Sequence, residues 1–123
     1  MAKRVVFNET RGEVLLPKGK WCASLWCKFK GLMLRRNLPA DEGLIFAYGR
    51  ASKMDTTIHM FFVFFPISVI WISQDMEVIT VKLAKPWRPY YAPSQAAQYF
   101  IEGDPELLDK VSVGDKLRFD GGR

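Results

Sequence analysis

Apolar and polar positions alternate along much of this chain, and the alternation is clearest in EVITVKL, residues 77–83. There Glu77, Ile79, Val81 and Leu83 interleave with Val78, Thr80 and Lys82, the period of two that belongs to a strand with unlike faces. KRVVFN and EVLLP near the start read as two further strands, with TRGE between them. Gly12 takes a tight turn cheaply, so the pair predicts a hairpin. Residues 22–30 change character: Cys22, Trp26, Phe29 and Met33 recur at helical spacing, predicting a short helix that packs these four side chains on a sheet.

The uncharged stretch from residue 56 to 74, nineteen residues between Asp55 and Asp75, is nearly long enough to cross a bilayer. It contains His59, Pro66, Ser68 and Ser73, has no adjoining basic stop signal, and runs on into the alternating segment. The pattern therefore predicts two buried strands, about 58–64 and 67–72, rather than a membrane span. Aromatic and β-branched residues dominate both, as pleated surfaces favour.

The loops are equally informative. NLPADEG precedes a short LIFAY strand, and GRASKMD follows it. In KPWRPYYAPS, Pro86, Pro89 and Pro93 exclude a regular central strand or helix. AAQYFIE alternates through Ala97, Tyr99 and Ile101. Asp104 before Pro105 is a helix start, one supplying an acceptor for an orphan N–H and the other a preset φ. Gly114 and Asp115 turn the chain into a last strand over 116–119. Many short strands with two short helices predict a mainly β (α+β) fold: a compact, curved antiparallel sheet, a small barrel or sandwich.

Length and composition narrow the class. At 123 residues, 49% hydrophobic and 25% charged, the chain fits one globular domain spanning 1–123 and not a disordered segment. Two cysteines five positions apart, with no recognisable signal peptide, favour thiols in a cytoplasmic protein over a secreted disulfide scaffold. With one histidine beside them they are too few soft ligands for a zinc or iron–sulfur centre, so neither metal nor cofactor is expected. The formal charge of +5 is uneven: residues 1–36 hold nine basic and two acidic groups. That field would attract an anion, an acidic partner or nucleic acid, although no nucleic-acid reading module accompanies it.

Candidate chemistry is sparse. His59 is the one imidazole and the best proton-transfer candidate, with a structural hydrogen-bonding role as the plainer reading. Arg35 can clamp a carboxylate or phosphate, or tie its own loop to the sheet. Ser68 lies outside any nucleophile-elbow motif. Trp87, Arg88 and Tyr90 offer rings and a cation in the proline-rich loop, either to line a shallow ligand pocket or to cover one end of the sheet.

GLMLRRNLPADEGLIFAY, residues 31–48, followed by IHMFFVFFPISVIWISQDMEVI, residues 58–79, resembles the domain of unknown function 192 family of bacterial and archaeal proteins. The resemblance rests on Gly31, Leu32, Met33 and Arg35, then on Gly43, Leu44, Ile45 and Phe46. It extends through His59 and Met60, Pro66 and Ile67, to Gly114 and Asp115, nearly the whole chain. It implies a compact, mainly β domain with short helices and brings no established reaction. Many members carry Asp after Pro-Ile where this chain has Ser68, which alters the charge balance of any polar site shared with Arg35 and His59.

The leading expectation is a small, soluble, noncatalytic binding domain for an anionic or carbohydrate-like ligand or a protein segment. The alternatives are an enzyme using His59 and Arg35, and salt-sensitive nucleic-acid binding through the basic first third.

Overall fold

The computed structural model describes residues 3–121. Among the described residues, seven strands form one sheet: β1 (Lys3–Asn8), β2 (Glu13–Cys22), β3 (Glu42–Ser52), β4 (Ile67–Ile72), β5 (Val78–Ala84), β6 (Ala97–Gly103) and β7 (Leu117–Gly121). Their order is β5-β4-β6-β3-β2-β1-β7. Every neighbouring pair is antiparallel except β2 and β3, which run parallel from Lys18 beside Glu42 to Cys22 beside Phe46. The sheet is thus mixed. It curls far enough for its two edges to meet at one end, where Glu77 bridges Lys116 and the Val78 N–H donates to the Asp115 carbonyl at 2.9 Å. The result is a half-closed barrel.

Strand alternation explains the two cores. Ile45, Ile70 and Ile101 point to one side, into a cluster with Leu15, Leu16 and Val78 that is closed by Leu107 and Val111. The residues between them, Leu44, Phe46, Val69, Trp71 and Phe100, point to the other side and pack against Leu32, Met60 and Val63. Because both faces of the central strands are covered, β4 is buried along its whole length.

The hairpin of β1 and β2 forms as expected, with the Gly12 N–H donating to the Asn8 carbonyl at 2.8 Å. Asp104 also caps as expected, accepting from the Glu106 N–H at 2.9 Å, and Pro105–Lys110 form a 3-10 helix.

Three expectations need correction. Residues 58–64 form no strand: only Ile58 makes a β-bridge, to Tyr91, and the rest winds over the outer face of the sheet. Both edges of β4 are already taken by β5 and β6, so this apolar segment covers the sheet instead of joining it. Its backbone groups pair with the proline-rich loop, Met60 N–H to Arg88 carbonyl at 2.7 Å and Trp87 N–H to Met60 carbonyl at 2.8 Å.

The second correction concerns the helix. α1 spans Leu25–Lys30 and starts at Ser24, whose side chain accepts from the Cys27 N–H. Cys22 lies outside it, at the end of β2, and Cys27 is the residue turned to the core. At about 100° per residue, that orientation swings Trp26 and Phe29 outward, and they are 70% and 65% exposed. The proposed packing face of Trp26 and Phe29 is a solvent face.

Third, Cys22 and Cys27 are joined in a disulfide rather than carrying free thiols. With both cysteines in the bridge, neither is a free thiol that would favour a cytoplasmic setting. Among the described residues, no helix is long and apolar enough to cross a membrane.

The bridge ties α1 to the end of β2. For so short a closed loop, reduction should lower stability by about 2 kcal/mol. Urea unfolding with and without dithiothreitol measures this, and coincident midpoints would contradict it.

Candidate functional site

The parallel pairing of β2 and β3 needs a crossover, residues 23–41, and that crossover roofs a cavity on the outer face of the sheet. The cavity measures about 90 Å³. Its floor comes from β3 and β6, where the register sets Phe46 beside Phe100 and Leu44 beside Glu102. Alternation along each strand then brings Phe46, Tyr48, Phe100 and Glu102 into the same space. The Phe46 and Phe100 rings stack with centroids 4.3 Å apart, and Tyr48 lies 6.1 Å from Phe100. α1 and the turn after it contribute Lys28, Phe29 and Gly31, and the covering segment contributes Thr57, Ile58, His59 and Val63.

Gly31 makes the roof possible. Its φ is 48°, in the left-handed region that favours glycine, and the position lies against Phe46 and Glu102.

Glu102 is the chemically unusual member. It is only 7% exposed, and among the described residues no cation pairs with its carboxylate. Burial raises its pKa to about 8, so the group is mainly a neutral acid at physiological pH. Tyr48 is pushed up to about 12, first by burial and then by the charges of Glu102 and Asp55. The Lys28 ammonium stands 3.8 Å above the Tyr48 ring. Burial lowers its pKa, against the raising field of Asp55. The cavity thus offers aromatic walls, a carboxyl able to donate at neutral pH, and a cation at the rim.

The residues singled out from sequence are dispersed. His59 lines this cavity as an exposed side chain, its Nδ1 accepting from the Phe61 N–H at 3.1 Å. Arg35 lines a separate basic depression with Lys3, Lys18, Lys20 and Glu42. Ser68 is fully buried in β4, and its hydroxyl has no hydrogen-bond partner. Trp87 lies near Phe62 and Phe64, with ring centroids 5.0 and 5.9 Å away. Arg88 is exposed in the same loop, while Tyr90 lines a third, open depression with Lys53, Thr80 and Lys82.

Glu102 was missed because, at the end of AAQYFIE and just before Gly103–Asp104, it resembles a solvated turn acid. Its spacing of two from Phe100 was the available signal. Among the described residues, no three His, Cys, Asp or Glu side chains assemble as a metal-ligand set.

Comparison with family models matches residues 9–119 to DUF192, described as Uncharacterized ACR. The chain belongs to the DUF192 family. It is 37% identical over 109 residues to a UPF0127 protein of Thermococcus kodakarensis, covering 89% of this chain and 68% of that protein. A UPF0127 protein of Pyrococcus abyssi is 38% identical over 117 residues, covering 94% and 97% respectively.

Two crystal structures share the DUF192 chain's fold. A Sinorhizobium meliloti protein provisionally assigned as a transcription regulator superposes with a TM-score of 0.85 at 22% identity, covering 97% of this chain and 94% of that one. A protein of unknown function from Novosphingobium aromaticivorans gives 0.80 at 21% identity, covering 94% and 83%. At these identities the likeness concerns the fold alone.

Proposed function

We propose that this DUF192 chain is a noncatalytic binding domain whose cavity takes the hydroxyl-bearing end of a small carbohydrate-like ligand. The observation that carries the reading is Glu102, a buried carboxyl without an ion-pair partner among the described residues, set among Phe46, Tyr48 and Phe100. Aromatic faces accept the apolar side of a sugar ring, and a neutral carboxyl both donates to and accepts from hydroxyls. Small-molecule pockets generally measure roughly 300–1,000 Å³. At about 90 Å³ this one suits one end of a ligand, with the remainder outside. An anionic group is disfavoured here, because it would face Glu102 as that carboxyl ionises.

NMR titration with neutral monosaccharides, disaccharides and inositol tests the reading. Shifts are expected at the cavity residues, with affinity retained in Glu102→Gln and reduced about fivefold or more in Glu102→Leu, the scale of one lost hydrogen bond. Binding should weaken above pH about 8, as the donor proton leaves. Failure of every neutral polyol to shift these residues would exclude the proposal.

A second reading, an enzyme, is favoured by one observation: His59 and Glu102 line the same cavity. An imidazole and a carboxyl with a raised pKa can share acid and base roles. Its test is turnover of the bound sugar derivative, lost in both His59→Gln and Glu102→Gln.

A further inference from the structure

Three exposed apolar residues have backbones that an L-residue seldom adopts. Leu34, Phe62 and Trp87 have φ of 65°, 61° and 66°, in the left-handed region where Gly or Asn would sit with less steric penalty. Met76, at 66°, shares that geometry, but it is partly buried against the inner core and its packing accounts for it. The other three are 65%, 47% and 48% exposed. They are also neighbours. The Leu34 N–H donates to the Phe62 carbonyl at 2.8 Å, and the Phe62 and Trp87 rings are 5.0 Å apart.

Phe64, 52% exposed, also has its ring near Trp87, with centroids 5.9 Å apart. Trp26 and Phe29 of α1 are exposed as well, with ring centroids 6.0 Å apart, and Phe29 lines the cavity that residues 57–59 and 63 also line. Large side chains are held in water by a backbone that opposes them. Packing within the chain does not explain that arrangement, but burial in a partner does.

Charge identifies the partner. The segments carrying these rings, residues 22–40, 56–74 and 84–96, contain Lys28, Lys30, Arg35, Arg36, Lys85 and Arg88 and no Asp or Glu. Folding brings acids beside some of these cations: Asp55, whose field reaches Lys28; Glu42, in the depression with Arg35; Asp104, in that with Arg36; and the buried Glu102, in the cavity with Lys28 and Lys30. A second copy docked face to face would set these cations against their own counterparts. Exposed aromatic rings carried on segments whose charged residues are all Lys and Arg match the headgroup layer of a membrane with a negative surface.

We propose that the surface of Leu34, Phe62, Phe64 and Trp87 seats the protein peripherally on an anionic lipid bilayer. The rings enter the headgroup region and the surrounding cations meet lipid phosphates. The contact is interfacial and needs no spanning segment. It stands independently of what the Glu102 cavity binds, since Phe62 and Trp87 do not line that cavity.

Flotation with phosphatidylcholine vesicles, with and without phosphatidylglycerol, tests this. The chain should float with the anionic vesicles, and the fraction bound should fall as salt screens the surface. The double variant Phe62→Asn/Trp87→Asn should lose on the order of tenfold or more in vesicle partitioning, since two interfacial rings are removed. Its melting temperature should hold or rise, because Asn tolerates the left-handed backbone. Arg36→Gln with Arg88→Gln should reduce the preference for anionic lipid. The proposal is overturned if anionic vesicles do not float the chain, if uncharged vesicles bind it equally, or if the Asn double variant partitions like the parent. Self-association or capture of an acidic polypeptide through these rings, without vesicle binding, would likewise overturn it and make the surface a protein interface.

Discussion

Raising the pH from about 4.5 to beyond 8 destabilises the protein by roughly 3–5 kcal/mol, and Glu102→Gln removes most of that loss. The sign follows from linkage. In the unfolded chain Glu102 ionises near its ordinary value of 4.5, whereas in the fold it holds its proton up to about 8. Between those values the native state binds the extra proton, so stability falls as pH rises. It is greatest below about 4.5 as far as this group is concerned, and the loss is complete once the folded carboxyl has ionised. A displacement of several pKa units corresponds to roughly 3–5 kcal/mol, a large share of the 5–15 kcal/mol typical of a domain. Urea unfolding across this range, parent against Glu102→Gln, gives the result directly. Parallel pH profiles for the two proteins would mean that Glu102 is not held neutral.

Gly43→Ala costs about 3 kcal/mol, at the upper end of what overpacking usually costs. A side-chain carbon at Gly43 would stand 2.7 Å from the Glu102 carbonyl oxygen and 3.0 Å from a Leu16 methyl. The first of these atoms is backbone, so relief requires β3 and β6 to part where Gly43 pairs with Gly103 and Leu44 with Glu102. Thermal unfolding should therefore begin on the order of 10 °C earlier, given the usual unfolding entropy of a domain this size. The damage also reaches the cavity floor. Gly103→Ala provides the comparison: its close neighbour is the end of the Leu107 side chain, which can move, so the cost is smaller. Equal melting temperatures for Gly43→Ala and the parent would show that the strands give more freely than their packing implies.

Much of the sheet was legible because alternation is a local property. β1, β2, β5 and β6, the turn at Gly12 and the capped start at Asp104 each declare themselves within a few residues. Residues 58–64 did not, because an apolar run says that a segment is buried without saying whether a sheet edge is free to take it. α1 was placed near its true position but rotated wrongly: the Cys22–Cys27 bridge, invisible as a motif, overrides the spacing of Trp26 and Phe29. The candidate site was less legible still. His59 could be found by being the one imidazole, while Glu102 acquires its character only from the β3–β6 register and the turn at Gly31. Both depend on residues more than fifty positions away. Arg35, Trp87 and Tyr90 were visible as residue types, but the chain sends Arg35 and Tyr90 to different depressions and Trp87 to the exposed rings of Phe62 and Phe64.

The parallel neighbours β2 and β3 impose a division of labour on the molecule. Because their connection must travel over the sheet, the cavity's lid belongs to a segment that contributes no strand. Substitutions in residues 23–41 can therefore recut the opening and its selectivity while leaving the ladder pairings in place. Evolution of new ligands would be least costly there, and most costly at the floor, where each side chain is also a rung.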